Sequence, residues 1–194
     1  YHQDVIVMPE TIIYLLPNYF KGLPKFIFNQ NASYSFGHWQ APEFPNPKGV
    51  LELYKSKQLF HYICVSKYDQ KFLYDCFNLP SDKVSRIING IETNLFKLNK
   101  NKQKCITFMT RKNKKSTEIV SDIIKNQKWF KEGNWDLLPI NRVPHNEVAE
   151  ILNRSKIFLS FGHPEGFGLP LAEAAASGCY LIGYSGLGGR EILE

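Results

Sequence analysis

The sequence predicts an α/β fold made of two domains with parallel β-sheets, and three observations lead to that prediction. Short apolar runs alternate with amphipathic stretches along the whole chain, which is the pattern of repeating strand and helix units. The 194 residues, 43% of them hydrophobic and 14% aromatic, can bury one good core or two smaller ones. The lysine-rich stretch KLNKNKQK (97–104) interrupts the alternation and has the composition of a linker. We therefore expect one domain over residues 1–95 and a second over residues 96–194.

Four apolar runs of the first domain are predicted to be strands. They are DVIVMPE (4–10), KFIFNQN (25–31), HYICVS (61–66) and VSRIIN (84–89). TIIYLLPNYF, after the first run, predicts a short helix that Pro17 ends. Residues 33–49 are rich in proline and glycine and predict a long loop of the kind that is often functional.

A helix is expected after the third strand of this domain. Ser66 and Asp69 have the spacing of a capping box that opens a helix, with aspartate in place of the usual glutamate. Apolar side chains share one face of that helix: Phe72, Leu73, Cys76 and Phe77. The helix is predicted to stop at NLPSD, before the fourth strand.

The second domain repeats the alternation. Its predicted strands are CITFMT (105–110), WDLLPI (135–140), KIFLSFG (156–162) and CYLIGYS (179–185). Its predicted helices are STEIVSDIIKNQKWF (116–130), NEVAEILNRS (146–155) and LPLAEAAASG (169–178). The first of these helices is expected to bring Ile119, Val120, Ile123 and Ile124 together. GLGGREILE (186–194) predicts a loop that enters one more helix, and both domains are expected to be incomplete in this chain.

The net charge of +6 is concentrated in the middle of the chain. Between Lys97 and Lys131 there are eleven Lys or Arg residues against two acids, Glu118 and Asp122. Nucleic acid is not the expected partner, since the zone lacks interleaved aromatic residues and any zinc-finger or RNP signature. A nucleoside diphosphate, an anionic membrane surface and simple solvation of the lysines all stay open as explanations of the zone.

The lack of a recognisable targeting signal and the pattern of cysteines favour a cytoplasmic protein. No apolar run is long enough to span a membrane, and YHQDVIV has no basic segment followed by an apolar one, so secretion is not supported. Four well-separated cysteines without a CxxC pair are expected to be buried free thiols in a reducing compartment: Cys64, Cys76, Cys105 and Cys179.

The stretch HPEGFGLPLAEAAASGC (163–179) is the strongest candidate for a site. It follows the strand KIFLSFG and therefore lies at the carboxyl edge of the predicted sheet, where open α/β folds bind ligands. Gly166 and Gly168 allow close approach of backbone N–H groups to a ligand at the start of a helix. The carboxylates of Glu165 and Glu173 can each accept two hydrogen bonds from vicinal hydroxyl groups, which points to a polyol. The alternative is that Glu165 only caps the helix and Glu173 is an exposed helix residue.

Several segments in a fixed order resemble one family. EGFGLPLAEAAASGC resembles the donor-site motif of the GT-B retaining glycosyltransferases of family four (glycosyl transferases group 1), in which two Glu are separated by seven residues. CVSKYDQKFL with VSRIINGIETNLF resembles the end of the acceptor-side domain and the hinge, and FMTRKNKKS resembles the first turn of the donor domain. NEVAEILNRSKIFLS and GLGGREILE resemble the segments before and after the motif. The resemblance spans about residues 60–194.

The resemblance implies a GT-B fold, with an acceptor-side domain followed by a domain that binds a nucleotide-sugar. It also implies transfer of a hexose-type sugar to a glycan or lipid-linked acceptor with retention, as in polysaccharide biosynthesis. Peripheral association with a membrane is a separate expectation that rests on the basic zone. Glu165 would hold the donor sugar and Glu173 the ribose. The backbone between them would line the sugar and phosphates, through Gly166, Phe167, Gly168 and Leu169. No cofactor and no metal are implied, because an acidic DxD motif is absent from the sequence.

Arg111 and Lys115 are the residues that the resemblance assigns to the diphosphate, where they would neutralise the charge of the leaving group. The match is imperfect: Thr110 stands where the family has glycine, and Ser116 stands where it has lysine. Lys115 is preferred to Lys114 for this role. The lysines between 97 and 104, together with Lys112, are expected to be only solvated.

Several other polar residues are weaker candidates for contact with a ligand. His163 precedes the motif, and Arg190 and Glu191 lie at the entrance of the last helix, where Glu191 could contact a ligand. In the first domain the polar residues at strand ends are possible acceptor contacts: Glu10, Asn29, Asn31 and His38. Two other functions are weighed: a dinucleotide-dependent oxidoreductase, which the spacing of GLGGRE does not favour, and a non-catalytic nucleotide-sugar-binding or scaffold fragment.

Overall fold

The computed structural model describes residues 4–19, 21–37 and 44–194, which divide between Asn89 and Gly90 into two compact units. The sequence placed the boundary a few residues further along, at 95/96. Each unit has a four-stranded, wholly parallel sheet with helices between the strands. The predicted α/β class is confirmed in both units.

The first unit is built on strands β1 (Ile6–Pro9), β2 (Lys25–Asn29), β3 (Leu59–Cys64) and β4 (Val84–Arg86), in the order β1-β2-β3-β4. Its α-helices are α1 (Pro47–Tyr54) and α2 (Lys67–Phe77). Short 3-10 helices span Glu10–Leu15, Ala32–Tyr34 and Ser81–Lys83. All four strands fall within the predicted runs or overlap them, and the short helix before Pro17 is a 3-10 helix.

Helix α1 was not predicted. The side chain of Asn46 accepts from the Gly49 amide at 2.9 Å and caps the helix, and Pro47 occupies its first turn. Val50 and Tyr54 are fully buried on its inner face. The proline and glycine residues that indicated a loop therefore lead into the start of a helix.

Helix α2 begins as predicted. The Ser66 hydroxyl accepts from the Asp69 amide at 3.1 Å, which is the N-cap bond that the spacing implied. The buried carboxylate of Asp69 also accepts from the Ala32 amide at 2.8 Å, so the cap ties α2 to the loop after β2.

The second unit contains strands β5 (Gln103–Met109), β6 (Asp136–Ile140), β7 (Ser155–Ser160) and β8 (Tyr180–Gly183), in the order β6-β5-β7-β8. Its helices are α3 (Lys114–Asn126), α4 (Lys128–Glu132), α5 (His145–Arg154), α6 (Leu169–Ala176) and α7 (Arg190–Leu193). β6, which follows β5 in the chain, lies on one side of β5, and β7 lies on the other side. The direction in which strands are added therefore changes between β5 and β7. Open α/β sheets form a ligand crevice at the carboxyl ends of such strands.

Two apolar clusters cover the two faces of this sheet. Helices α5 and α6 contribute Val148, Leu152 and Leu171 to one cluster, and α3 packs against the other. From α3 only Val120 and Ile124 belong to that packing. Ile119 and Ile123, which were expected to lie together with these two residues, are 49% and 54% exposed. The predicted single helix over 116–130 is wrong, since extended backbone at residue 127 separates α3 from α4.

The expectation that the cysteines are free thiols is confirmed, and three of the four are buried as expected. All four cysteines are free, and Cys64, Cys105 and Cys179 are buried while Cys76 is at an intermediate depth. No helix in the described part of the chain has the length and apolar character needed to cross a membrane.

Candidate functional site

A cavity of about 1090 Å³ opens at the carboxyl edge of the second sheet. The loops after β5, β6 and β7 line it, together with the first turns of α5 and α6 and one side of α3. Its polar and charged lining includes Arg111, Lys112, Lys114, Glu118, Asp122, Asn141, Arg142, His145, Glu165 and Glu173. The two glutamates singled out from the sequence are thus both present in the wall of one cavity.

Backbone contacts with the glycine-rich segment 186–189 fix the position of Glu165. The Glu165 amide donates to the Gly186 carbonyl at 2.7 Å, and the Gly188 amide donates to the Glu165 carbonyl at 3.0 Å. A Cβ atom at Gly188 would lie 1.6 Å from the carbonyl oxygen of Gly166, so no side chain fits there. The segment GLGG therefore forms the support of the motif, a role that the sequence did not reveal.

The Glu165 carboxylate is paired with a lysine. The Nζ of Lys112 lies 3.0 Å from Glu165 Oε1 and also donates to the Pro164 carbonyl at 2.6 Å. The side chains of Lys112 and Glu165 are 22% and 17% exposed. The expectation that Lys112 is only solvated is wrong, because its ammonium group is held by two acceptors in the cavity wall.

Asn113, the residue after Lys112, also connects the loop after β5 with the loop after β7. Asn113 adopts a left-handed backbone conformation, with φ 51°, and precedes α3 at its N-cap position. Its side-chain amide donates to the Phe161 carbonyl at 2.7 Å. Asparagine tolerates this backbone conformation better than most residues, so the loop after β5 can turn sharply and still bond to the loop after β7.

The second carboxylate, Glu173, is on α6 and faces α5. Its Oε1 lies 3.0 Å from the Nε2 of His145, and its side chain is 12% exposed. The His145 ring packs on Phe96 at 5.1 Å between ring centroids. Sequence reasoning missed His145, which is 28 residues from its partner and carries no motif of its own.

The alternative explanation, that Glu165 only caps the helix and Glu173 is an exposed helix residue, is therefore wrong for both glutamates. Helix α6 begins after Gly168 without any side-chain cap, so Glu165 does not cap it. Glu173 is mostly buried rather than exposed.

The other predicted site residues lie at different depths. Arg111 is exposed and lines the cavity. Lys115 is exposed and is not among the lining residues, whereas Lys114 lines the cavity and is 3.7 Å from Glu118 in a highly exposed pair.

The backbone between the two glutamates is only partly open to the cavity. Gly168, at φ 88°, is a lining residue. Gly166 and Phe167 are buried and are not among the lining residues, and the Leu169 side chain is 42% exposed.

The acceptor candidates of the first unit are engaged in structural bonds. Buried Glu10 accepts from the amides of residues 30 and 31, both at 3.0 Å, and burial raises the pKa of its carboxyl group. Asn29 donates to Tyr54 and to Ser35, and Asn31 caps the 3-10 helix that follows it. His38 lies outside the described residues.

The remaining candidates are peripheral. The ring of His163 is exposed and lies 6.2 Å from that of Tyr184. Arg190 lies 3.9 Å from Glu194 in an exposed pair on α7, and Glu191 lies on the same short helix. Within residues 4–19, 21–37 and 44–194, no three His, Cys, Asp or Glu side chains are grouped so that they could hold a metal ion.

Known proteins resemble this chain in sequence and in fold. Residues 120–194 match the family model described as glycosyl transferases group 1. An alpha-1,6-glucosyltransferase of Actinobacillus pleuropneumoniae serotype 7 is 27% identical over 191 residues, which cover 95% of this chain and 53% of that protein. The chain thus spans about half the length of this curated relative.

Solved structures share the fold. Anabaena HepE in complex with UDP and glucose matches with a TM-score of 0.68 at 14% identity, over 98% of this chain and 61% of HepE. S. aureus TarM, in complex with Fondaparinux, alpha-GlcNAc-glycerol and UDP, matches with a TM-score of 0.62 at 14% identity, over 92% of this chain and 41% of TarM. The fold is therefore that of the GT-B proteins, with a Rossmann-like parallel sheet in each unit.

Proposed function

We infer that this chain is part of a group 1 glycosyl transferase that transfers a hexose-type sugar from a nucleotide-sugar donor, with the acceptor-side domain in its first unit and the donor-binding domain in its second. In this proposal the acceptor is a glycan or a lipid-linked acceptor, and the anomeric configuration is retained. The observation that carries the proposal is the presence of two mostly buried carboxylates, Glu165 and Glu173, in the wall of one cavity that also contains cationic side chains.

The carboxylates suit the two polyol parts of such a donor. An ionised carboxylate accepts hydrogen bonds at two oxygens, and adjacent hydroxyl groups of a sugar or a ribose provide donors at a matching separation. In the proposed complex Glu165 holds the hexose and Glu173 holds the ribose. Each glutamate already has a basic partner, which keeps one oxygen in place and leaves the other for a hydroxyl group.

The diphosphate would lie near the start of α6 and beside Arg111. Backbone N–H groups in the first turn of a helix attract anions, and the first turn of α6 lines the cavity with Gly168 before it. The guanidinium of Arg111 adds a fixed positive charge at the cavity wall. Lys115, which is exposed in the first turn of α3 next to the lining residue Lys114, is the second proposed cation. Stabilising the negative charge that develops on the departing nucleoside diphosphate is the main catalytic task in this scheme.

The relatives favour a UDP-linked hexose as the first donor to test. The relative from Actinobacillus is named a glucosyltransferase, and HepE binds UDP and glucose. Isothermal titration calorimetry against UDP, GDP, ADP and dTDP should identify one nucleotide that binds clearly more tightly than the others. If none of them binds, the proposed function is wrong.

Transfer itself needs a separate assay. Incubation with the matching nucleotide-sugar and glycan acceptors, followed by NMR of the anomeric proton, should give a product with the configuration of the donor. Binding without any product would instead support the non-catalytic alternative, and an inverted product would contradict retention.

A further inference from the structure

We propose that Lys112 is a positioning residue for Glu165, and that it thereby controls recognition of the donor's sugar rather than of its nucleotide. This inference rests on the proposed function, because it concerns the carboxylate that is assigned to the sugar. It adds a residue from another loop, 53 positions earlier in the chain than Glu165, to the sugar site.

The geometry fixes the ammonium group on the loop that carries Glu165. Lys112 Nζ donates to the Pro164 carbonyl at 2.6 Å and lies 3.0 Å from Glu165 Oε1. Two of its three N–H bonds therefore have acceptors on adjacent residues. A lysine held by both the backbone and the side chain of one loop fixes that side chain relative to that backbone.

The surroundings of the carboxylate limit its other positions. A Cβ atom at Gly162 would lie 2.7 Å from Glu165 Oε1, so the carboxylate already packs against the Gly162 backbone. A Cβ atom at Gly186 would lie 2.8 Å from the Cβ of Glu165 on another side. Lys112 supplies the polar contact on Oε1, and a buried carboxylate oxygen without such a partner is costly.

Pairing with Lys112 leaves the carboxylate able to bind a sugar. A carboxylate has about four lone-pair sites on its two oxygens, and Lys112 uses one of them. Sugar hydroxyl groups can bond to Oε2 and to the second site on Oε1 while the ion pair persists.

A competing role for Lys112 is direct contact with the diphosphate, because Arg111 precedes it in the same loop. The two roles differ in which ligand they affect. A phosphate contact is lost equally for the free nucleotide and for the nucleotide-sugar. A lysine that acts through Glu165 affects only the ligand that contains a sugar.

The test measures the affinity of the wild-type chain, K112M and K112R for UDP and for UDP-glucose by calorimetry. We expect K112M to weaken UDP-glucose binding about tenfold or more, as for loss of a charge-assisted hydrogen bond, and to leave UDP binding within about twofold. K112R should recover part of the loss because it keeps the charge. The control is K128M, which removes a lysine that is 84% exposed and 3.7 Å from Glu132.

A double-mutant cycle with E165Q guards against a general effect on folding. If Lys112 acts through Glu165, K112M should add little to the loss of UDP-glucose affinity in E165Q. Thermal unfolding should show that the variants stay folded at the temperature of the titrations.

The outcomes separate the inference from the proposed function. Equal weakening of UDP and UDP-glucose by K112M, unchanged binding of both, or full additivity with E165Q would overturn the role of Lys112 while the proposed function stands. A wild-type chain that binds UDP but no UDP-hexose would also overturn it. A wild-type chain that binds no nucleoside diphosphate overturns the proposed function, and this inference with it.

Discussion

Replacing Glu173 by alanine should weaken nucleotide binding without unfolding the chain. The Glu173 side chain is 12% exposed in the cavity wall, and its Oε1 lies 3.0 Å from the Nε2 of His145. Because that contact restricts the glutamate before any ligand arrives, little ordering is needed on binding. Loss of charge-assisted hydrogen bonds to the ribose should cost about 1–3 kcal/mol, a five-fold to 150-fold rise in Kd.

The assay is calorimetry with a nucleoside diphosphate and its 2′-deoxy form. If Glu173 holds the ribose hydroxyl groups, the wild-type chain should bind the ribonucleotide more tightly than the deoxynucleotide, and Glu173→Ala should lose most of that preference. Glu173→Gln keeps the shape and one carbonyl oxygen, so it should fall between the two. Glu132→Gln is the matched control, since it removes a carboxylate in an exposed pair with Lys128 on α4.

Unchanged affinity in Glu173→Ala would refute the assignment of the ribose to this residue. An equal loss for the ribonucleotide and the deoxynucleotide would also contradict it, because the carboxylate would then act on another part of the ligand. A large fall in thermal stability would show that the pair with His145 serves mainly to join α5 and α6.

Two further predictions concern stability. Gly188→Ala should lower the free energy of unfolding by more than about 3 kcal/mol, because the new Cβ would lie 1.6 Å from the Gly166 carbonyl oxygen. Gly90→Ala is the control, since a Cβ atom there meets nothing within 4 Å. Equal melting temperatures of the two variants in thermal unfolding would contradict the reasoning. Burial raises the pKa of Tyr62 from 10.0 to about 12, so its contribution to stability is fully present below pH 10 and is lost as the pH rises through about 12. Tyr62→Phe removes both the titrating hydroxyl group and its hydrogen bond to the Tyr54 carbonyl. In denaturant unfolding at pH 8, the free energy of unfolding of this variant should be about 1 kcal/mol below that of the wild type. Between pH 8 and pH 11 the free energy of unfolding should fall less in the variant than in the wild type.

Local patterns were sufficient to predict most of the strands. The apolar runs that become β3, β5 and β7 contain few polar residues because both faces of a parallel sheet are covered. The same information gave a wrong answer at α1, where Pro47 and Gly49 indicated a loop but occupy the first turn of a helix. Proline is compatible with both, and the burial of Tyr54 decides between them.

The interpretation of lysines shows a second limit of sequence reasoning. Within the basic zone, Lys112, Lys114 and Lys115 have nearly the same local context. The structure gives them different environments: Lys112 is paired with Glu165 in the cavity wall, Lys114 is in an exposed pair at its rim, and Lys115 is exposed and is not among the lining residues. Charge counting does not distinguish them, because the difference arises from contacts with a loop about fifty residues later.

The sequence by itself determined the α/β class, the positions of the strands and the two glutamates at the carboxyl edge of a sheet. These features follow from short-range periodicity and from a motif that is contiguous in the chain. The tertiary structure decided which side chains accompany the glutamates. Lys112 reaches Glu165 because β5 and β7 are neighbours, His145 reaches Glu173 because α5 and α6 pack on one face, and GLGG supports the motif because β8 returns the chain to it. Such partners are brought together by strand order and helix packing, and neither is encoded in the spacing of residues along the chain.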